Sequence, residues 1–193
     1  MVGPDDILKF WLDECTPEQW FNTSDAFDEL VRERFEETWK QATEGRFSLW
    51  LTYPNGALAY IILTDQMSRN MFRNDARAFS TDRAALVAAK SAIDKGWDLR
   101  VDQSARQFFY MPLEHSENLC DQERAVRLIH ERLEDTGYML HAQAHREVIR
   151  SFGRFPHRNA ALERKSTCAE QAYIDAGGYR EILRSLDQPA AAA

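Results

Sequence analysis

The stretch SDAFDELVRERFEETWKQATEG, residues 24–45, decides the fold class of this chain. Its apolar side chains recur every three or four residues, which is the period of an α-helix with one buried face. Those side chains are Phe27, Val31, Phe35, Trp39 and Ala42. Ser24 is a suitable N-cap, and Gly45 is suited to end the helix in a left-handed conformation. The stretch therefore predicts an amphipathic helix over residues 24–44.

The same helical period recurs along nearly the whole chain. A shorter helix with Ile7, Leu8 and Trp11 on one face comes first. Pro112 is expected to break the fifth helix, and Gly137 to end the sixth. The later helices are predicted over residues 57–72, 81–95, 102–110, 118–135, 138–152 and 167–176, with a short ninth after them. No segment alternates as a strand does, so the fold class is predicted to be all-α, with about eight or nine helices and no sheet.

The spacing of the helix ends bears on the architecture. Successive stops at Gly45, Gly96, Gly137 and Gly177 lie 51, 41 and 40 residues apart. Helix pairs at such intervals are typical of solenoid folds, so we predict a TPR-like array of antiparallel helix pairs. A single domain is expected over residues 1–186, followed by a disordered tail over 187–193. Because the spacing is irregular, a compact orthogonal bundle stays an alternative.

Composition excludes several classes of protein. The net charge is −7, and residues 1–40 alone hold eleven acids and four bases. Residues 141–165 carry the opposite balance, +4, from six basic and two acidic side chains. An acidic protein without a basic run is a poor nucleic-acid binder, so no nucleic-acid partner is expected.

The cysteines and the apolar runs suggest where the protein works. Cys15, Cys120 and Cys168 are odd in number and widely separated, which argues against disulfide and zinc frameworks. The opening MVGPDDILKFW lacks the features of a secretory leader, and the apolar run 57–63 is too short to span a bilayer. We therefore expect a soluble, cytoplasmic protein that does not act at a membrane.

Polar residues interrupt the buried face of the third predicted helix. The face that begins at Leu58 continues through Asp65 and Arg69. Gln66, Asn70 and Arg73 form a second polar row beside it. One interpretation is an Asp65–Arg69 salt bridge on a helix end that has emerged into water. The other is the wall of a polar pocket, because a charge on a buried face must be paired.

Two histidines lie one turn apart on the seventh predicted helix. His141 and His145 have the i, i+4 spacing of a metal-binding pair, but the glutamate of the H-E-x-x-H motif is absent. Buried histidines that hydrogen-bond to backbone or carboxylates are the simpler interpretation. No metal and no cofactor are predicted, since no phosphate-binding loop or dinucleotide fingerprint occurs either.

Two loops complete the set of candidate residues. Gly153 is expected to end the seventh helix, and the loop after it carries Arg154, His157, Arg158 and Asn159. Forked guanidinium donors suit a carboxylate or a phosphate, although arginines also cap helix C-termini. A second loop places His115, Ser116 and Glu117 next to one another, and Ser116 or Asn118 can serve as an N-cap there.

Several segments together resemble a bacterial family catalogued only as a domain of unknown function. They are Trp20-Phe21 with the F-x-x-x-V helix after it, ALAYIILTDQMSRNMFRNDARAF (57–79), FFYMPLEHSE (108–117) and HREVIRSFGRFPHRNAAL (145–162). The resemblance implies an all-helical, TPR-like fold and brings no activity, substrate or cofactor. Members of that family commonly read D-Q-F-P-R-N where this chain has Met67 and Ser68 at the third and fourth positions.

The positions that match the polar motifs of that family are the same ones that the helical faces and loops indicate, together with Ser116. We therefore predict a ligand-binding set of twelve residues: Asp65, Gln66, Arg69, Asn70, Arg73, His115, Glu117, His145, Arg154, His157, Arg158 and Asn159. A polar cluster rich in arginine predicts a binding module for an anionic small molecule or an acidic peptide, with a protein partner also conceivable. One alternative is an enzyme that acts on a phosphorylated or carboxylated metabolite through histidine acid/base chemistry. Another is a purely structural network.

Overall fold

Every regular element of the described chain is a helix. The computed structural model describes residues 2–22, 24–134 and 136–187, and no strand occurs in that part of the chain. The all-α prediction is confirmed. The α-helices are α1 (Pro4–Leu8), α2 (Pro17–Phe21), α3 (Asp25–Thr43), α4 (Pro54–Ile61), α5 (Ser68–Met71), α6 (Asp82–Asp94), α7 (Gln103–Glu114), α8 (Leu119–Arg132), α9 (Thr136–Phe152), α10 (Cys168–Asp175) and α11 (Tyr179–Asp187).

The helix α3 forms where the apolar stripe predicts it. The Ser24 side chain accepts a hydrogen bond from the backbone N–H of Phe27 at 3.4 Å, which caps the first turn. Val31 and Phe35 on the apolar face are fully buried. Gly45 follows the helix with a φ of +76°, the left-handed conformation expected of a terminating glycine.

The chain divides into two compact units at the bond between Pro112 and Leu113. In the first unit, α4 packs against α1 and α6, and α5 packs against α3. Aromatic side chains fill the interior: the ring centroids of Phe10 and Phe35 are 4.9 Å apart, and those of Trp20 and Phe108 are 5.1 Å apart. The indole N–H of Trp20 donates to the carbonyl oxygen of Trp11 at 2.7 Å, so a polar group within this core is satisfied.

Two helices of the first unit widen into π-helical turns. The helix α1 continues as a π-helix over Lys9–Glu14, and α4 continues over Ile62–Met67 into α5. A π turn bonds residue i to i+5 and is frequent at functional sites. Within the second turn the Thr64 hydroxyl donates to the Tyr60 carbonyl at 2.6 Å. The predicted helix over 57–72 is therefore present, but its middle turn is not α-helical.

The helix α7 runs through Pro112, and the prediction of a break there was wrong. Proline cannot donate the backbone hydrogen bond of a helix interior, and this costs about 3 kcal/mol in an isolated helix. The side chains of Phe108, Phe109 and Tyr110 on α7 are fully buried. Burial of three aromatic rings offsets the cost of the proline, because each buried ring contributes about 1.5–3 kcal/mol.

The second unit contains α8, α9, α10 and α11. The helix α9 packs against α8 and against α11. The buried core of the second unit contains Val148, Ile149 and Phe155. Two partly buried side chains, Tyr173 and Ile182, pack on that core. This arrangement brings the last two helices of the described chain onto the loop that follows α9.

The end of α8 corrects the prediction of a stop at Gly137. The helix α8 ends at Arg132, Leu133 is extended, and α9 begins at Thr136, so Gly137 lies inside α9. Asp187 is the last residue of α11, and the rest of the predicted tail over 187–193 lies outside the described residues. The single domain over 1–186 and the TPR-like arrangement stay predictions.

No helix in the described ranges has both the length and the apolar character needed to cross a bilayer.

Candidate functional site

The predicted residues of the first unit surround two buried aspartates. Asp28 on α3 accepts hydrogen bonds from Arg73 at 2.5 and 2.8 Å and from the Asn70 amide at 2.8 Å. Hydrogen bonding to Asp28 raises the pKa of the Arg73 guanidinium, although burial opposes this. Asn70 and Arg73 of the second polar row are therefore both directed at one internal carboxylate.

Asp65 lies in the π-helical turn and is fully buried. Its carboxylate accepts from the Gln66 amide at 2.5 Å, and it lies 3.4 Å from the Arg69 guanidinium. Arg69 also reaches Asp82 at 3.0 Å. The predicted Asp65–Arg69 salt bridge is present. The expected emergence of the helix end into water is not found, because Gln66 and Asn70 are buried as well.

In the second unit, Glu117 is the centre of one ion-pair network. Its carboxylate accepts from the Arg164 guanidinium at 2.7 and 3.0 Å and from the backbone N–H of Phe155 at 2.8 Å. Burial raises the pKa of Glu117, but the hydrogen bonds from Arg164 and Phe155 outweigh burial and lower it. Arg164 also donates to the Asn159 side chain at 3.0 Å, so Asn159 belongs to the same network.

Arg154 is held by a carboxylate that the sequence did not point to. Its guanidinium donates to Glu170 through two bonds of 2.5 and 2.7 Å and to the Lys165 carbonyl at 2.9 Å. Glu170 is buried at the start of α10, where its carboxylate also accepts from the Thr167 N–H. The hydrogen bonds from Arg154 lower the pKa of Glu170 to about 2. The pair joins the loop after α9 to α10.

Arg158 has a different environment from Arg154. Its side chain is buried, its guanidinium lies 4.5 Å over the Phe155 ring, and one nitrogen donates to the His115 carbonyl at 3.1 Å. A cation over an aromatic face is stabilised by the ring quadrupole. His115 and Arg158 are therefore brought together as predicted, through a backbone carbonyl.

A cluster of titratable groups surrounds His145 in the second unit. His145 Nδ1 is 2.9 Å from the His141 carbonyl oxygen, 3.2 Å from the Tyr179 hydroxyl and 3.6 Å from a Glu114 oxygen. A carbonyl only accepts hydrogen bonds, so Nδ1 carries the proton and Nε2 has the free lone pair. The His115 ring lies 5.9 Å from the His145 ring, centroid to centroid.

Burial sets the charge of this cluster. It lowers the pKa of His145 to about 3, and the nearby His115 adds to the effect, so the imidazole is neutral at ordinary pH. Burial and the charge of Glu114 raise the pKa of Tyr179 well above its usual range. Tyr179 also contacts His141 Nδ1 at 2.8 Å. The cluster is thus a chain of neutral hydrogen-bonding groups beside one carboxylate.

An open cleft of about 550 Å³ lies on the second unit beside this cluster. Its lining includes His157, Tyr173, Ile174, Tyr179, Arg180 and Arg184. Among the described residues Arg180 has no ionic partner, and Arg184 is 3.3 Å from the exposed carboxylate of Glu181. Tyr179 belongs to both the cleft and the histidine cluster.

Of the predicted set, only His157 lines this cleft, and the other lining residues were missed. Their signal was weak, because the residue pattern predicted only a short ninth helix in this region. The Ser116 hydroxyl donates to Asp121 at 2.8 Å, which does not favour a nucleophile paired with histidine. The described residues contain no group of three or more metal-ligating side chains.

Comparison with known proteins places the chain in a family. The sequence profile of the bacterial proteins of unknown function DUF924 matches residues 7–178, so the chain belongs to that family. The solved structure of a protein of unknown function from Agrobacterium tumefaciens is similar, with 37% identity and a TM-score of 0.85. The alignment covers 90% of this chain and 97% of that one. No curated protein matches the chain.

Proposed function

We propose that this member of the family is a binding protein that holds an anionic small molecule in the cleft of its second unit. The observation that carries the proposal is the pairing in one cleft of two arginines, Arg180 and Arg184, with two tyrosines, Tyr173 and Tyr179. Forked guanidinium donors recognise phosphate or carboxylate groups, and phenol rings supply apolar contact.

The cleft supports a binding role better than the arginines of the predicted ligand-binding set do. Arg69, Arg73 and Arg154 each contact an internal carboxylate, so a ligand would have to compete with a bonded partner. Arg180 has no such competitor in the described chain. A volume of about 550 Å³ is in the range of small-molecule sites and is smaller than a groove for a folded partner.

Thermal denaturation with defined anions tests the proposal. The probes are inorganic phosphate, pyrophosphate, citrate, phenyl phosphate and a short peptide with an acidic terminus. A bound probe at 100 times its Kd adds about 2.7 kcal/mol, which corresponds to a rise in Tm of about 5–10 °C at this size. The rise should disappear in Arg180→Gln combined with Arg184→Gln.

The matched control is Arg127→Gln, which removes an exposed positive charge from α8 outside the cleft. It should leave the rise in Tm unchanged. Stabilisation that persists in the double variant, or none with any probe, would contradict binding at this cleft. A response to the peptide but not to the small anions would point to an acidic peptide as the ligand.

An enzyme is the second candidate, and the contact between Tyr179 and His145 favours it. The Tyr179 hydroxyl joins the cleft to the imidazole of His145, the group that acid/base chemistry would use, although its lowered pKa makes it a weak base. Turnover of phosphate or carboxylate esters that is lost in His145→Gln, with binding retained, would establish the enzyme. Binding of such esters without turnover of any of them would reject the enzyme and support the binding role. The cytoplasmic location and the TPR-like arrangement remain parts of this proposal.

A further inference from the structure

The first unit contains a second cleft, and its lining includes a tyrosine whose hydroxyl has no partner in the described chain. The cleft has a volume of about 540 Å³, and α4 and α6 form its sides. Tyr60 on α4 is only 8% exposed and lines the cleft. Its hydroxyl has no hydrogen-bond partner among the described residues. Most of the side chain is buried, so the hydroxyl can reach water or a ligand only through the cleft, where it can donate to an acceptor oxygen.

The walls of this cleft are apolar and open because the side chains of α6 are small. Ala84, Ala88 and Ser91 line it on α6, where longer side chains would fill the space. Trp97 contributes an indole ring on the same lining, and Val87, 62% exposed, stands at the edge. Aromatic rings pack favourably against such indole and phenol groups in offset or edge-to-face arrangements.

One positive charge lies on the lining of the cleft. Arg83 is exposed, lines the cleft, and has no ion-pair partner among the described residues. This distinguishes it from Arg69 and Arg73 of the same unit, which contact carboxylates. A guanidinium at an apolar cleft suits a ligand whose ring enters the cleft and whose carboxylate stays at the entrance.

We propose that the cleft of the first unit binds a small aromatic carboxylate, whose ring packs against Trp97 and whose acceptor oxygens meet the Tyr60 hydroxyl and the Arg83 guanidinium. The site is separate from the cleft assigned under the proposed function and does not depend on it. A small molecule fits better than a protein segment, because the unpartnered hydroxyl belongs to a side chain that is more than nine-tenths buried.

The experiment measures the affinity of the intact protein for indole-3-acetate by ligand-observed NMR. Tyr60→Phe should weaken binding about tenfold, which equals about 1.4 kcal/mol and suits a hydrogen bond to a charged group. Arg83→Gln should weaken it about threefold to tenfold. Ala84→Leu should abolish it, because the added side chain projects into the cleft from an exposed position and leaves α6 intact.

Two comparisons keep this test specific. Arg180→Gln in the other cleft should leave the affinity for indole-3-acetate unchanged. Loss of binding in that variant would assign the probe to the second unit and overturn the proposal. Indole, which lacks the carboxylate, and hexanoate, which lacks the ring, should each bind at least tenfold more weakly. Equal binding of hexanoate, unchanged binding in a folded Ala84→Leu variant, or no binding to the wild type would each overturn the proposal.

Discussion

Among single side chains, Arg154 shows how a suspected ligand-binding residue can have an internal partner. Its guanidinium forms two bonds to Glu170, a carboxylate that is only 2% exposed. Removal of one member of a buried pair leaves the other charge without compensation, which costs more than the pair contributes. The residue therefore matters to stability whether or not any ligand approaches it.

We expect Arg154→Ala to lower Tm, and Arg154→Lys to recover only part of the loss, because an ammonium group cannot form both bonds. Circular dichroism during heating measures the change. The matched control is Arg150→Ala. Arg150 pairs with Glu123, whose side chain is 43% exposed, so solvent screens this ion pair well. If the two alanine variants lost the same amount, the Glu170 pair would not be a main stabilising contact.

His145 makes stability depend on pH. Its pKa is lowered from 6.5 to about 3 by burial, so below pH 6.5 the unfolded chain binds a proton that the folded chain does not. The free energy of unfolding should therefore fall as pH falls, by up to about 1.4 kcal/mol per pH unit. From pH 6.5 to 5 we expect the wild type to lose about 1–2 kcal/mol more than His145→Gln.

Urea denaturation at several pH values measures this difference. Glu117 and Glu170 do not interfere with this measurement. Because their pKa values are lowered in the folded protein, the stabilisation that they contribute is lost only below about pH 4.3, the ordinary pKa of a glutamate. Tyr179→Phe serves as control, since it removes a contact but leaves the His145 ring buried, and it should keep the steeper slope. Equal slopes for the wild type and His145→Gln would mean that the imidazole titrates normally in the folded protein.

Among the residues that line the candidate cleft, the sequence predicted only His157, and it did not reveal the partners of the other predicted side chains. Asp65 and Arg69 are one turn apart, and their contact follows from helical spacing. Glu170 is 16 residues from Arg154, Arg164 is 47 from Glu117, and Asp28 is 45 from Arg73. Such pairs are brought together by tertiary packing, which one sequence without an alignment does not reveal.

At the scale of secondary-structure elements, Gly56 fixes how α4 begins. A Cβ atom there would lie 2.4 Å from the Trp50 carbonyl oxygen and 2.9 Å from the Trp50 Cα. These are backbone atoms of the 3₁₀ turn Ser48–Thr52, so they cannot give way as a flexible side chain would. Only glycine lets the turn and the helix approach so closely.

Gly56→Ala should therefore destabilise the protein by about 2 kcal/mol or more. Chemical denaturation measures the loss. Gly96→Ala is the matched control, because no atom lies within 4 Å of a Cβ there and only the positive φ of +67° is strained, at a cost of about 1 kcal/mol. A smaller loss at Gly56 than at Gly96 would mean that the turn can shift away from α4.

Helices with strong apolar periodicity were predicted within one or two residues, as α3 and α6 show. The misses have two physical origins. Intrinsic preference stops a helix at Pro112, but burial of its neighbours outweighs that preference. The π-helical turns leave no mark on composition, because they differ from α-helix only in which carbonyl each N–H bonds.

At the scale of the whole molecule, the three cysteines report on folding. Cys120 and Cys168 are exposed, whereas Cys15 is buried, and burial raises the pKa of its thiol to about 11. Since the thiolate is the reactive form, Cys15 should react slowly in the folded protein. We expect two thiols to react quickly with an aromatic disulfide reagent at pH 8, and three in guanidinium.

Substitution of both exposed cysteines by serine should leave a single thiol whose reaction follows the opening of the first unit around Cys15. Its rate then measures the stability of that unit directly. Three fast thiols in the native wild type would show that the segment around Cys15 opens readily. One fast thiol would show that a helix start in the second unit is protected.

The π-helical turn at Ile62–Met67 has a consequence for the history of this family. Each i→i+5 bond encloses one residue more than the i→i+4 bond of an α-helix, so a chain with one residue fewer here could continue as a regular α-helix. Relatives with a regular helix here should align with a one-residue gap inside 62–67. In those lineages Arg69 and Asn70 would face about 100° away from their present direction, and the aspartates they now contact would be free to diverge.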